Sequence, residues 1–234
     1  MRLEIFPVAG IGEVNEGDEV AALIVDALQN MERPLVDGDV VVVTHKIVSK
    51  AEGAVDRVEG DPEAYKRRLV EREARAILRR RGNLVITETK HGFVCANAGV
   101  DQSNAVRGTL VRLPEDPDRS ANRVRVRLER AFGCRLAVII SDTFGRAWRR
   151  GLTDVAIGVS GMLAINDLRG TADHFGRVLE VTEVAVADEL AAAAELVTGK
   201  SEGYPAAVVR GYRYQPGEGT GRDLVRTPSE DLFR

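Results

Sequence analysis

The chain has 234 residues, enough for one large domain or two small ones. Hydrophobic residues make up 44% and charged residues 29%, the balance of a folded globular protein, which excludes a disordered tail or a collagen-like chain. With 33 Lys and Arg against 36 Asp and Glu the formal net charge is −3, so the chain as a whole offers no electrostatic argument for nucleic acid or an anionic membrane.

The opening Met1-Arg2-Leu3-Glu4-Ile5-Phe6-Pro7 lacks the apolar core of a signal peptide. The longest small-apolar stretch, Val181 to Thr198, is interrupted by Glu183, Asp188, Glu189 and Glu195, each costly in hydrocarbon. No membrane span is expected. Cys95 and Cys134, the only cysteines, have aliphatic neighbours and no C-x-x-C spacing, and read as reduced thiols of a cytoplasmic protein. Basic residues are mostly Arg, with Lys at positions 46, 50, 66, 90 and 200 alone. A compact ammonium differs from a planar guanidinium at a phosphate, so Lys46 and Lys50 read either as a reactive pair or as two solvated lysines.

In chain order, Leu3 to Val8 alternates and reads as a strand closed by Ala9-Gly10-Ile11-Gly12. Asp18 to Met31 has helical spacing at Val20, Leu23, Ile24, Ala27 and Leu28. The β-branched run Val40 to Thr44 predicts a buried central strand. Asp61-Pro62 predicts a helix start, with Leu69, Val70, Ala74, Ile77 and Leu78 as one apolar stripe up to Gly82. Leu84 to Thr89 and Phe93 to Ala96 read as a strand pair, Thr109 to Leu113 as a short strand, and 114–118 as a plain loop. Ser120 to Phe132 is expected to be helical and Leu136 to Ser141 a second buried strand. Asp154 to Val159 and Met162 to Asn166 read as strands, Val181 to Thr198 as a long helix, and Ala206 to Val209 as a last strand. No repeat of fixed period and no dividing linker is present, so residues 1–234 are expected to form a single domain, with any intertwined subdomains lacking a readable boundary.

Asp142-Thr143 directly follows an apolar strand, where a scaffold hands polar groups to a cleft. Carboxylate and hydroxyl are hard oxygen donors suited to Mg²⁺ or Mn²⁺. Asp101 lies in a second polar loop, and the two could share one cation or a pair; both aspartates could equally cap turns. Arg146, Arg149 and Arg150 suit a substrate with phosphates or several carboxylates, or form a plain surface face. Gly10-x-Gly12 lacks a third glycine, so no dinucleotide fingerprint exists. Gly199-Lys200-Ser201 ends like a Walker motif but follows a predicted helix, which excludes a P-loop. His45, His91 and His174 have no zinc spacing.

Taken together, Phe6-Pro7-Val8, Val48 to Gly53, Asn97 to Asn104, Ser141 to Arg146 and Arg149-Arg150-Gly151 resemble the coenzyme F420-0:γ-glutamyl ligase family. The match continues through Ala156 to Gly161, Asp173 to Arg177 and Pro205 to Gly211, nearly end to end and in order. The resemblance implies an α+β fold with mixed and antiparallel sheets, flanking helices and an intertwined homodimer. It implies a ligase that uses GTP and a divalent metal to add L-glutamate to F420-0 and extend a γ-linked tail through an acyl phosphate. Asp101, Asp142 and Thr143 match the family's metal ligands, for two Mg²⁺ or Mn²⁺ ions per subunit, with K⁺ a further candidate cation. Ala9, Gly10, Ile11, Gly12, His45, Lys46, Lys50 and Asn104 match its nucleotide contacts, and Gly199, Lys200, Ser201 and Glu202 lie in its last nucleotide loop. Asp142 and Lys50 are expected to carry catalysis. The partners implied are F420-0, L-glutamate, GTP and a second copy, with neither nucleic acid nor membrane. Two other readings stay open: a metal- and GTP-dependent ligase with another polyanionic acceptor, and a guanine-nucleotide-binding module without catalysis.

Overall fold

A computed structural model describes residues 2–102 and 108–232. The fold is α+β with mixed and antiparallel sheets. The central sheet contains β1 (Glu4–Pro7), β2 (Val40–Thr44), β8 (Ala137–Arg146), β9 (Arg149–Ser160) and β12 (Ala206–Arg210), in the spatial order β1-β12-β2-β8-β9. Only β2 and β8 run parallel in it, with Val40 opposite Ala137 and Thr44 opposite Ser141. Alternation explains the unbroken valine run. Val41 and Val43 join Val138, Ile140 and Val208 under α1 (Val20–Asn30) and α4 (Pro117–Phe132). Val40 and Val42 join Ala137, Ile139 and Val209 under α5 (Val186–Thr198). With both faces covered, every position in β2 from Val40 to Val43 is apolar and buried, each side chain contributing roughly 1.5–3 kcal/mol.

A smaller core forms around Leu69, Val70, Val85, Ala98, Val100 and Leu110. It joins α3 (Pro62–Glu73) to the antiparallel sheet of β4 (Ala74–Arg81), β5 (Leu84–Thr89) and β6 (Val94–Ala96), and to the pair of β3 (Val55–Arg57) with β7 (Thr109–Val111). The expected single helix up to Gly82 is therefore wrong. Asp61 does cap α3, accepting from Ala64 N–H at 3.0 Å, but the helix ends at Glu73 and the chain turns into β4. Ala74, Ala76 and Leu78 alternate with exposed Arg75, Ile77 and Arg79, and pairing with β5 selects that period over the helical one.

Three other expectations change. The 114–118 loop is in part helix: Asp116 accepts from Arg119 N–H at 2.9 Å and Pro117 sits in the first turn of α4, the same signal read correctly at Asp61-Pro62. Met162 to Asn166 does not form a strand beyond β10 (Asn166–Asp167), which pairs with β11 (Glu183–Val184). Its backbone is instead satisfied by the chain's end, Leu163 N–H donating to Gln215 O and Gly219 N–H to Met162 O. The helix expected from Val181 starts at Val186. Among the described residues no helix is long and apolar enough to cross a membrane, and both cysteines are free.

Candidate active site

The site lies where the parallel pair ends. Strand β2 passes without a loop into α2 (His45–Ala51), a two-turn helix lying beside the middle of β8. His45, Ile47, Val48 and Ser49 are buried, while Lys46 and Lys50, one turn apart, face a cavity of about 620 Å³. The same cavity is lined by Ile11 and Gly12 after β1, by Ser141 and Thr143 of β8, by Asp154 of β9, by Glu195 of α5 and by residues 199–201 and 203–205 of the following loop.

Each acidic or hydroxyl group singled out as a metal ligand is held by a basic side chain. Lys46 Nζ lies 2.9 Å from Asp101 Oδ2. His45 Nε2 lies 3.2 Å from Asp142 Oδ1, near enough for an ion pair but off-axis for a hydrogen bond. Lys200 Nζ donates to Thr143 Oγ1 at 2.7 Å. Lys200 also meets Asp154 Oδ1 at 3.0 Å and Glu195 Oε1 at 2.6 Å. Burial alone would depress the Lys200 ammonium, but its hydrogen bonds to Glu195 and Asp154 outweigh that and hold its pKa above the usual lysine value.

Asp142 and Thr143 are neighbours in sequence but turn to opposite sides of β8. Asp142 faces His45, whereas Thr143 and Ser141 both point to Asp154. A shared single ion therefore fits less well than two separate cation positions. The donors are all oxygen, in keeping with Mg²⁺ or Mn²⁺ rather than zinc. Among the described residues no three His, Cys, Asp or Glu side chains converge as a ready-made metal cluster. Few protein ligands per ion suits a metal that arrives with phosphate oxygens and water.

The remaining predicted residues divide. Ile11 and Gly12 line the cavity; Ala9 and Gly10 lie in the turn behind them, Gly10 with φ 91°. Lys50 Nζ is 2.6 Å from Glu13 Oε1. His45 is fully buried, so any ligand contact from it would run through its main chain. Gly199, Lys200 and Ser201 line the cavity, whereas Glu202 does not. Its carboxylate folds back on the Ser201 N–H at 3.0 Å, which holds its pKa below the usual range. Asn104 lies outside the described residues. Arg146, Arg149 and Arg150 sit on the exposed β8–β9 hairpin, away from the cavity.

Sequence reasoning missed Asp154, Glu195 and Glu13. The one available signal was a charge at position 154 just before the apolar run Val155 to Val159. Cys95 is excluded as a nucleophile, since burial first and the nearby Asp142 charge second push its thiol up to about 12.

A mixed sheet ending in a cavity ringed by acids, hydroxyls and lysines is the setting of an enzyme, and comparison with known proteins gives its class as a ligase. Residues 10–211 match the model of the F420-0:γ-glutamyl ligase family. The coenzyme F420:L-glutamate ligase of Methanothermobacter thermautotrophicus is 44% identical over 253 aligned positions, covering 100% of both chains. That of Methanopyrus kandleri is 44% identical over 251, covering 99% of this chain and 98% of the relative. That of Methanocaldococcus jannaschii is 45% identical over 216, covering 86% of each. The chain belongs to the F420-0:γ-glutamyl ligase family.

Proposed function

We propose that the chain joins L-glutamate to F420-0 and extends the product by γ-linked glutamates, using GTP. The observation that carries this reading is the gathering of Lys46, Lys50, Lys200 and Thr143 around one cavity from segments far apart in sequence, with Asp101 paired to Lys46 and Asp142 next to Thr143 in β8. Near full-length likeness to ligases named for coenzyme F420 and L-glutamate supports it.

A carboxylate is a poor electrophile. In the proposed reaction a carboxylate oxygen of F420-0 attacks the γ-phosphorus of GTP, the bond to GDP breaks, and an acyl phosphate forms. The neutral amine of glutamate then attacks the acyl carbon, phosphate leaves, and an amide remains. Phosphoryl transfer needs alignment and charge neutralisation more than covalent help. Lys46 and Lys50 supply positive charge along the phosphate chain, and Ile11 and Gly12, following the turn at Ala9 and Gly10, offer main-chain groups on the cavity wall. Asp101, Asp142 and Thr143 would hold the divalent ions, which would supply positive charge to offset the negative charge that develops in the transfer. On nucleotide binding Lys46 and Lys200 would leave the acid and hydroxyl oxygens they now contact and pair with phosphate.

The proposal includes a homodimer, favoured by Trp148, Phe175 and Val181, which are more than four-fifths exposed in a single copy. The decisive test is mass spectrometry of F420-0 incubated with the protein, GTP, Mn²⁺ and glutamate. A mass gain of whole glutamyl residues is expected. No gain, or GTP hydrolysis indifferent to F420-0 and glutamate, overturns the reading.

A further inference from the structure

Asp154 is a buried carboxylate that none of the proposed chemical steps employs. It is 8% exposed and sits opposite Thr143 in the antiparallel register of β8 and β9. Burying a carboxylate costs several kcal/mol unless its oxygens are well satisfied, and here both are. Ser141 Oγ donates to Oδ2 at 3.2 Å, and Thr143 Oγ1 donates to Oδ1 at 2.6 Å. Its own N–H donates to Glu195 Oε2 at 2.9 Å, which fixes the strand against α5.

A threonine hydroxyl has one proton and two lone pairs. With the proton committed to Asp154, the lone pairs of Thr143 face away from it, toward the point now taken by the Lys200 ammonium. That point lies within 3.0 Å of Thr143 Oγ1, Asp154 Oδ1 and Glu195 Oε1, and is a place where the chain accommodates a cation. Were the hydroxyl free to rotate, its proton would spend part of its time aimed at the incoming positive charge.

We propose that Asp154 is a positioning residue that orients the Thr143 hydroxyl as a cation ligand, acting on metal affinity through Thr143. The inference rests on the reading of Thr143 as a ligand in the proposed ligase. Partners that orient a ligand from behind typically matter by about 10–100-fold in metal affinity.

The test is a double-mutant cycle on the full chain, with Mn²⁺ titrated in the presence of GTP and free Mn²⁺ counted by electron paramagnetic resonance. Asp154→Asn is expected to weaken Mn²⁺ binding about 10-fold in the wild-type background and by less than about twofold in a Thr143→Ala background. Asp154→Ala, which removes the acceptor without placing an amide there, serves as the second variant and should show the same pattern. Thr143→Ser keeps the hydroxyl and should stay near the wild type. Unchanged Mn²⁺ affinity in a folded Asp154 variant overturns the inference. So does an equal loss in both backgrounds, the mark of a carboxylate that meets the ion directly or of a purely structural strand lock, and so does a wild-type chain that binds no Mn²⁺ with GTP. A wild type that binds Mn²⁺ and GTP but leaves F420-0 unglutamylated overturns the proposed function alone, and the cycle still decides the role of Asp154.

Discussion

Asp142 and His45 face each other across the seam between β8 and the first turn of α2, with His45 fully buried and Asp142 Oδ1 3.2 Å from its Nε2. The carboxylate is held there by the Thr143 N–H, which donates to Oδ1 at 2.7 Å. Asp142→Asn keeps the shape and one oxygen but removes the charge a divalent ion requires. Glutamate ligation should fall at least about 100-fold, roughly 2.7 kcal/mol of barrier. The metal-free melting temperature should move by only a few degrees, since 1 kcal/mol corresponds to about 2–4 °C at this size. Near-normal ligation at saturating Mn²⁺ would remove Asp142 from the metal site.

Lys50 reaches Glu13, whose side chain is well exposed, so losing the ammonium strands no buried acid. Lys50→Ala should therefore fold normally and bind GTP about 10–100-fold more weakly, matching a charge-assisted contact of about 1.5–3 kcal/mol. Calorimetry giving wild-type affinity would make Lys50 a surface lysine.

Asp56 ties α3 to β7 by accepting from Arg72 at 2.8 Å and Arg112 at 2.5 Å. Burial alone would raise its pKa, but these two guanidinium groups outweigh it and hold the carboxyl below the usual 3.8. A carboxyl depressed in the folded state adds stability above its unfolded pKa and loses it as pH falls through the folded value. Asp56→Asn should thus lower the melting temperature at pH 7, and the gap to wild type should close on acidification below about pH 4. A gap that is constant from pH 7 to pH 3 would show that shape, not charge, matters there.

Gly158 gives a physical reason for one of the motifs that carried the family resemblance. A Cβ there would overlap the backbone carbonyl of Pro117, where the start of α4 crosses β9. Gly158→Ala should destabilise by about 1–3 kcal/mol, the usual range for overpacking. Unfolding curves superimposable on the wild type would show that α4 moves aside freely.

Light scattering should give twice the mass of one chain at micromolar concentration. The proposed homodimer would cover Leu152, Val178 and Val181, with Trp148 and Phe175, which are exposed in a single copy. A monomer mass would overturn the homodimer.

What could be read from the sequence follows from how many physical constraints met at each segment. Val40 to Val43 could only be a strand covered on both faces, and Asp142, polar at the end of an apolar run, could be picked out as a cleft residue. At the α3–β4 boundary two periods fitted the same residues, since Ala74 and Leu78 are spaced for a helix and for a strand alike. Only the partner β5 decides between them. Asp154 and Glu195 stayed hidden because their roles depend on register. A bulge at Ile140/Ser141 sets which β9 residue stands opposite Thr143, and local sequence carries no count of it. Glu195 looked like a charge interrupting a small-residue helix until α5 docked beside β9.

The direct passage of β2 into α2 makes the distance between Lys46 and Lys50 a property of the main chain. Four helical residues advance about 6 Å along the axis, and the buried His45, Ile47, Val48 and Ser49 keep the helix from sliding or rolling. The two Cα positions are fixed in this way, and flexible stems carry the ammonium groups out from them. The proposed nucleotide would spread negative charge over that length with its consecutive phosphates, which a lone carboxylate would not.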